Sequence, residues 1–213
     1  MKLSTLFFPL CLAANVVASY LVLNAWGFEN PKSYMFITHI SLFLVTLYYF
    51  RCVLTIIEIP FPSIEIMYKI NFAMSFFVGL MYWMMNILDK NSVNDGTVVH
   101  HFYLDFYIHG GTFILLFLEN FIWHNHIQTL KCNYGCMLII SLILVAIVYV
   151  PWFIKGFAVY PFLKKYTPIE FFILPVEVAI LLFIGTFIHN IITKPDNSEE
   201  KQTLFQPQFN KFS

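Results

Sequence analysis

Charge is what this chain has least of. Only 11% of its 213 residues are Asp, Glu, Lys or Arg, and 12 bases balance 12 acids to a net charge of zero. A water-soluble domain carries about 25% charged residues to present a wetted surface, so an ordinary soluble globule is excluded. A balanced charge with no basic cluster beyond Lys164-Lys165 also excludes electrostatic capture of nucleic acid. Cysteine is scarce too. Cys11 and Cys52 lie in apolar runs, where a thiol behaves as a small hydrophobe. Cys132 and Cys136 stand C-x3-C without thiolate partners nearby, a spacing that marks no zinc site and leaves a disulfide open. There is no internal repeat, low-complexity tract or cofactor-binding motif, so no cofactor is expected.

What is present is apolar. Hydrophobic residues make up 59% of the chain, 25 of them Phe, with a mean hydropathy of +0.73. Lipid is the solvent that suits such a surface. Six runs, at about 5–25, 35–58, 66–88, 106–123, 136–158 and 170–193, approach the roughly 20 apolar residues a helix needs to cross the hydrocarbon. Polar breaks separate them, among them Gly27–Lys32, Pro60–Ser63, Asp89–Gly96 and Lys164–Pro168. Within lipid the backbone must satisfy its own hydrogen bonds, which long uniform apolar runs do only as helices. The expected fold is therefore all-α, a polytopic membrane protein of six transmembrane helices in one bundle over residues 1–193, with a polar tail at 194–213.

Lys2 and the apolar run ending near Ala18-Ser19 imitate a signal peptide, but the run continues through Tyr20–Leu23, so a retained first helix is expected. Trp26, Trp83, Trp123 and Tyr160 sit where interfacial aromatic belts form. Six crossings place both termini on one face. That face holds or adjoins seven Lys/Arg residues against five on the other, which favours cytoplasmic termini in an endomembrane or plasma membrane.

Ionisable groups inside spans are costly and face the protein interior or a water-filled cavity. Here they are His39, Arg51, Lys69, His109, Glu119, Glu177 and His189. Arg51 and Lys69 lie close enough to span ends to snorkel. Parity sharpens the rest: the second, fourth and sixth segments start from one membrane face. Thr38 and His109 each fall about four residues into their segments, about one turn below that face at about 1.5 Å per residue. A hydroxyl and an imidazole at matching depth are what a nucleophile and its general base require. The bland alternative is a threonine bonded to its own helix. Asp105, four residues before His109, either orients the imidazole or caps the segment. Gly110 and Gly111 would permit close helix approach. A metal held by His100, His101 and His109 with Asp95 or Asp105 has no recognised zinc spacing behind it, and no metal is expected.

Three stretches carry a resemblance. Tyr34-Met35-Phe36-Ile37-Thr38-His39, the helix His109-Gly110-Gly111-Thr112-Phe113 with Glu119 ten residues after the histidine, and Tyr160-Pro161-Phe162-Leu163 occur in an order and spacing that resemble the androgen-induced and androgen-dependent TFPI-regulating membrane proteins. The resemblance spans almost the whole chain apart from the tail. It implies a threonine-dependent hydrolase of fatty acid esters of hydroxy fatty acids, with Thr38 as nucleophile and His109 as histidine. The substrate cavity is expected near Gly110, Gly111, Glu119, Tyr160 and Pro161. Where the family often has a second histidine three residues earlier, this chain has Phe106. The expected partners are a lipid ester and the bilayer. Two rivals stand beside this reading: a transporter or channel using Glu119, Glu177 and His189, and a non-catalytic membrane adaptor. Pro161 is expected to end the fifth segment and form the lip of the cavity.

Overall fold

Long apolar runs propagate as helices, and the structure, a computed structural model, is helical in every described element. It describes residues 3–30, 32–57, 59, 64–88, 101–123, 130–156, 158–165 and 168–192. Helix α1 (Leu3–Trp26) stops at Gly27, whose φ of 82° is the left-handed conformation that glycine adopts without strain. A short turn of helix, α2 (Lys32–Met35), leads through extended Phe36 into α3 (Ile37–Ile56). Next come α4 (Ile64–Leu88) and a helical stretch in three pieces: α5 (Phe102–Phe106), a π turn (Tyr107–Gly111) and α6 (Thr112–Trp123). Helix α7 (Leu130–Lys155), a 3-10 turn (Pro161–Lys165) and α8 (Pro168–Ile192) complete the chain order. Pro168 opens α8 at the position where a missing N–H costs nothing.

Helix α4 is the hub. It packs on α3, α6, α7, α8 and the π turn, while α1 lies on α3, and α7 on α8. Its approach to α8 is close because both sides are small: a Cβ on Gly185 would stand 3.1 Å from the Ala73 Cα. The core around α4 holds Tyr68, Phe72 and Met74 fully buried, while Leu10, Phe43, Ile139 and Ile180 on other helices point outward. An apolar exterior over an aromatic core is the packing of a protein surrounded by lipid.

Among the described residues, four helices are long and apolar enough to cross a membrane: Thr5–Trp26, Ile37–Ile56, Ile66–Leu88 and Ile173–Ile192. Six were expected. The fourth segment is divided by its π turn, and the described apolar part of α7, Met137–Pro151, is shorter than a full span. The expected boundaries move as well. The fourth segment becomes helical at Phe102 rather than near 106, and α7 starts at Leu130 rather than near 136. The helix end expected at Pro161 lies earlier: α7 stops at Lys155, where Gly156 turns the backbone at φ 62°, and Pro161 instead opens the 3-10 turn.

Candidate active site

The start of α3 is built on a long-range hydrogen bond. First-turn N–H groups of a helix have no intrahelical partner, and that of Ile37 donates to the Tyr160 hydroxyl oxygen at 2.9 Å. The backbone and hydroxyl of Thr38 act on the same oxygen. Tyr160 is buried, and its ring meets Phe36 edge to face at 5.1 Å. Burial pushes its phenol above the ordinary range, while the hydrogen bonds from Ile37 and Thr38 pull the other way, so Tyr160 stays neutral. Thr38, 9% exposed, therefore presents its hydroxyl beside a neutral phenol at the beginning of a long apolar helix.

His109 sits in the π turn, a backbone form enriched at functional sites. Its Nδ1 donates to the Asp105 carbonyl at 2.9 Å, which leaves Nε2 with the lone pair in the neutral ring. The Asp105 carboxylate is also close, with Oδ1 at 3.5 Å from Nδ1. Asp105 does not cap the helix, whose N-cap is His101. Its other carboxylate oxygen accepts from the Tyr82 hydroxyl. The Tyr82 ring lies on the imidazole, with centroids 3.4 Å apart and planes 9° apart. Asn86 bonds the same Tyr82 hydroxyl.

An apolar cavity opens beside these groups between α3, α4, α7 and α8. Thr38, Tyr82 and Tyr160 line it together with Phe77, Met81, Met85, Leu144, Val145, Val148, Leu174 and Val178. The walls are almost wholly hydrocarbon, with three hydroxyl-bearing side chains among them. His109 is not in the lining, but the ring stacked on it is. Among the described residues no hydrogen bond joins Thr38 to His109.

The other residues singled out in the sequence divide. Tyr160 lines the cavity; Gly110, Gly111, Glu119 and Pro161 do not. A Cβ on Gly110 would stand 3.6 Å from Trp83, an ordinary contact, and one on Gly111 would stand 3.0 Å from the Tyr107 ring in its own turn of helix. The close approach expected of that pair belongs to Gly79, where a Cβ would meet the His109 carbonyl oxygen at 2.8 Å. Glu119 is buried elsewhere, accepting a hydrogen bond from Tyr48 near Cys11, Tyr49 and Cys52. Glu177 is exposed on α8, outside any buried pathway with Glu119 and His189. His39 meets the Trp26 ring edge to face and the Phe36 ring at a tilt, and lines a separate groove between α1 and α3. Among the described residues no three His, Cys, Asp or Glu side chains are placed to share a metal ion. Asp95 and His100 lie outside the described residues.

Sequence reading passes over Tyr82 and Gly79. Tyr82 stands in the aromatic run Met81-Tyr82-Trp83-Met84, which reads as an interfacial belt. The one available signal is a helical spacing: Gly79, Tyr82 and Asn86 recur at three and four residues, on one face of α4.

The family model for FAR-17a/AIG1-like proteins matches residues 3–194 of the chain. No curated protein and no solved structure matches it.

Proposed function

The chain belongs to the FAR-17a/AIG1-like family, and from that premise we propose that it is an integral membrane lipid hydrolase. Its substrates are fatty acid esters of hydroxy fatty acids or similar lipid esters, its nucleophile is Thr38 and its base is His109. The observation that carries this reading is the placing of Thr38. Its hydroxyl stands beside a neutral tyrosine in the wall of a cavity that is otherwise hydrocarbon. In this reading an acyl chain runs between α4, α7 and α8, and its ester carbonyl lies at the start of α3.

In the first step Thr38 Oγ1 attacks the ester carbonyl while His109 Nε2 takes its proton, directly or through one water. Collapse of the tetrahedral intermediate expels the hydroxy fatty acid, which takes the proton back from Nε2. Water, deprotonated by the same nitrogen, then attacks the acyl-Thr38 ester and releases the fatty acid, and Nε2 returns the proton to Thr38 Oγ1. The hydrogen bond from Nδ1 to Asp105 keeps Nε2 the basic nitrogen throughout.

Six crossings suit this mechanism and the helix lengths. The pieces of 5, 5 and 12 residues from Phe102 to Trp123 run on without a gap, and α7 has 26 residues. At about 1.5 Å per residue both exceed or match the roughly 30 Å of hydrocarbon. Residues 1–193 then form one transmembrane domain with cytoplasmic termini, and the lipid enters sideways between helices.

The test is hydrolysis of a defined fatty acid ester of a hydroxy fatty acid by the purified protein, beside labelling with a fluorophosphonate probe. Turnover and labelling that are both lost in Thr38→Ala support the enzyme. Substrate-dependent flux in liposomes without hydrolysis supports the transporter reading instead.

A further inference from the structure

We infer that Tyr82 is a positioning residue for His109 and at the same time the wall through which a bound acyl chain sets the imidazole. This rests on the hydrolase reading for its consequence, but its geometry stands by itself. An imidazole in a helix has two rotatable bonds to restrain, and here both its edge and its face are held. The edge is held at Nδ1 by the Asp105 carbonyl at 2.9 Å. The face is held by the Tyr82 ring, centroids 3.4 Å apart and nearly parallel.

The two restraints are tied together. The hydroxyl of Tyr82 reaches the carboxylate of Asp105, whose other oxygen is 3.5 Å from Nδ1. Tyr82 belongs to α4 and the other two residues to α5 and the π turn, so the loop of contacts spans two elements. Gly79, three residues before Tyr82, lets α4 come close enough to close it, since any larger side chain would strike the His109 carbonyl oxygen. Nε2 is the ring nitrogen that this clamp leaves for chemistry.

Tyr82 also lines the cavity beside Thr38, Met81 and Met85. A chain seated there presses on the residue that holds the base, so occupancy and imidazole position are coupled. A filler that only glued α4 to α5 would tolerate any apolar side chain of similar size. A clamp requires an aromatic face, and the hydroxyl adds the link to Asp105.

The experiment compares Tyr82→Leu and Tyr82→Phe in the purified full chain. Two readouts are used: hydrolysis kinetics, and the rate at which diethylpyrocarbonate modifies His109, followed by mass spectrometry of that residue. Tyr82→Leu lowers kcat by about 100-fold, the cost of misplacing a catalytic group by about 1 Å, and speeds His109 modification several-fold. Tyr82→Phe keeps the stacked face, restores most of the kcat that Leu loses and keeps His109 shielded. The Phe variant preserves the packing, so a misfolded Leu variant still leaves a test: with the hydroxyl lost, the Asp105 carboxylate beside Nδ1 is released and the Nδ1 15N shift of His109 moves, while the Nδ1–H tautomer set by the Asp105 carbonyl is kept. Unchanged kcat and unchanged His109 modification in a folded Leu variant, or unchanged 15N shifts in the Phe variant, overturn the clamp and leave the hydrolase reading standing. Turnover that survives Thr38→Ala overturns Thr38 as the nucleophile, and faster His109 modification in Tyr82→Leu still supports the clamp.

Discussion

The backbone N–H of Ile37 donates to the phenolic oxygen of Tyr160 at 2.9 Å, across 123 positions of sequence. One hydrogen bond thus ties the first turn of α3, and with it Thr38, to the segment that follows α7. Tyr160→Phe removes the acceptor and keeps the ring against Phe36. The Ile37 N–H then loses its partner at a destabilisation of about 1–3 kcal/mol, and Thr38 loses its anchor. Thermal unfolding falls and ester turnover falls with it. A Phe variant equal to wild type in both would contradict this account of the helix start.

Gly79→Ala probes the contact between α4 and the π turn. Its Cβ would stand 2.8 Å from a backbone oxygen that has no flexible end to swing away. The expected cost is about 1–3 kcal/mol of overpacking, with turnover lost more steeply than stability because His109 moves. Unfolding and kinetic measurements on the same preparation check the two halves separately.

Val148→Phe narrows the cavity on its α7 side. The rate with long-chain esters drops and the rate with short-chain esters persists. Equal losses for both lengths would mean that the acyl chain does not lie along α7.

Glu119→Gln separates the enzyme from the transporter. Glutamine retains an oxygen for the Tyr48 hydroxyl, and Glu119 is not in the cavity lining. Ester turnover is therefore unchanged in this variant. A large loss of turnover would join the two regions in one mechanism.

Much of the architecture is legible in the chain because composition acts over long stretches. A deficit of charge and runs of about 20 apolar residues leave helices as the only spanning form, and counting them places Thr38 and Tyr160 at one end, where the hydrogen bonds of α3 bring them together. Short-range features are harder. The π turn depends on a register shift of one residue, which apolar periodicity does not mark, and it divides the segment that composition reads as one span. Tyr82 looks like its aromatic neighbours until its ring is seen on His109. Glu119 shares a segment with His109, yet a helix carries it to another part of the interior, against Tyr48. Gly110-Gly111 attracts attention as a pair, whereas the lone Gly79 makes the close contact, because tight approach is a property of two surfaces and only one is visible in a local sequence.

The most direct measurement is hydrolysis of a fatty acid ester of a hydroxy fatty acid by purified Thr38→Ala, beside Thr38→Ser and the wild type, each verified as folded by thermal unfolding. The account predicts turnover at the protein-free rate for Ala and measurable turnover for Ser, which keeps a hydroxyl at the cavity wall. A folded Thr38→Ala protein that hydrolyses the ester at the wild-type rate would contradict it.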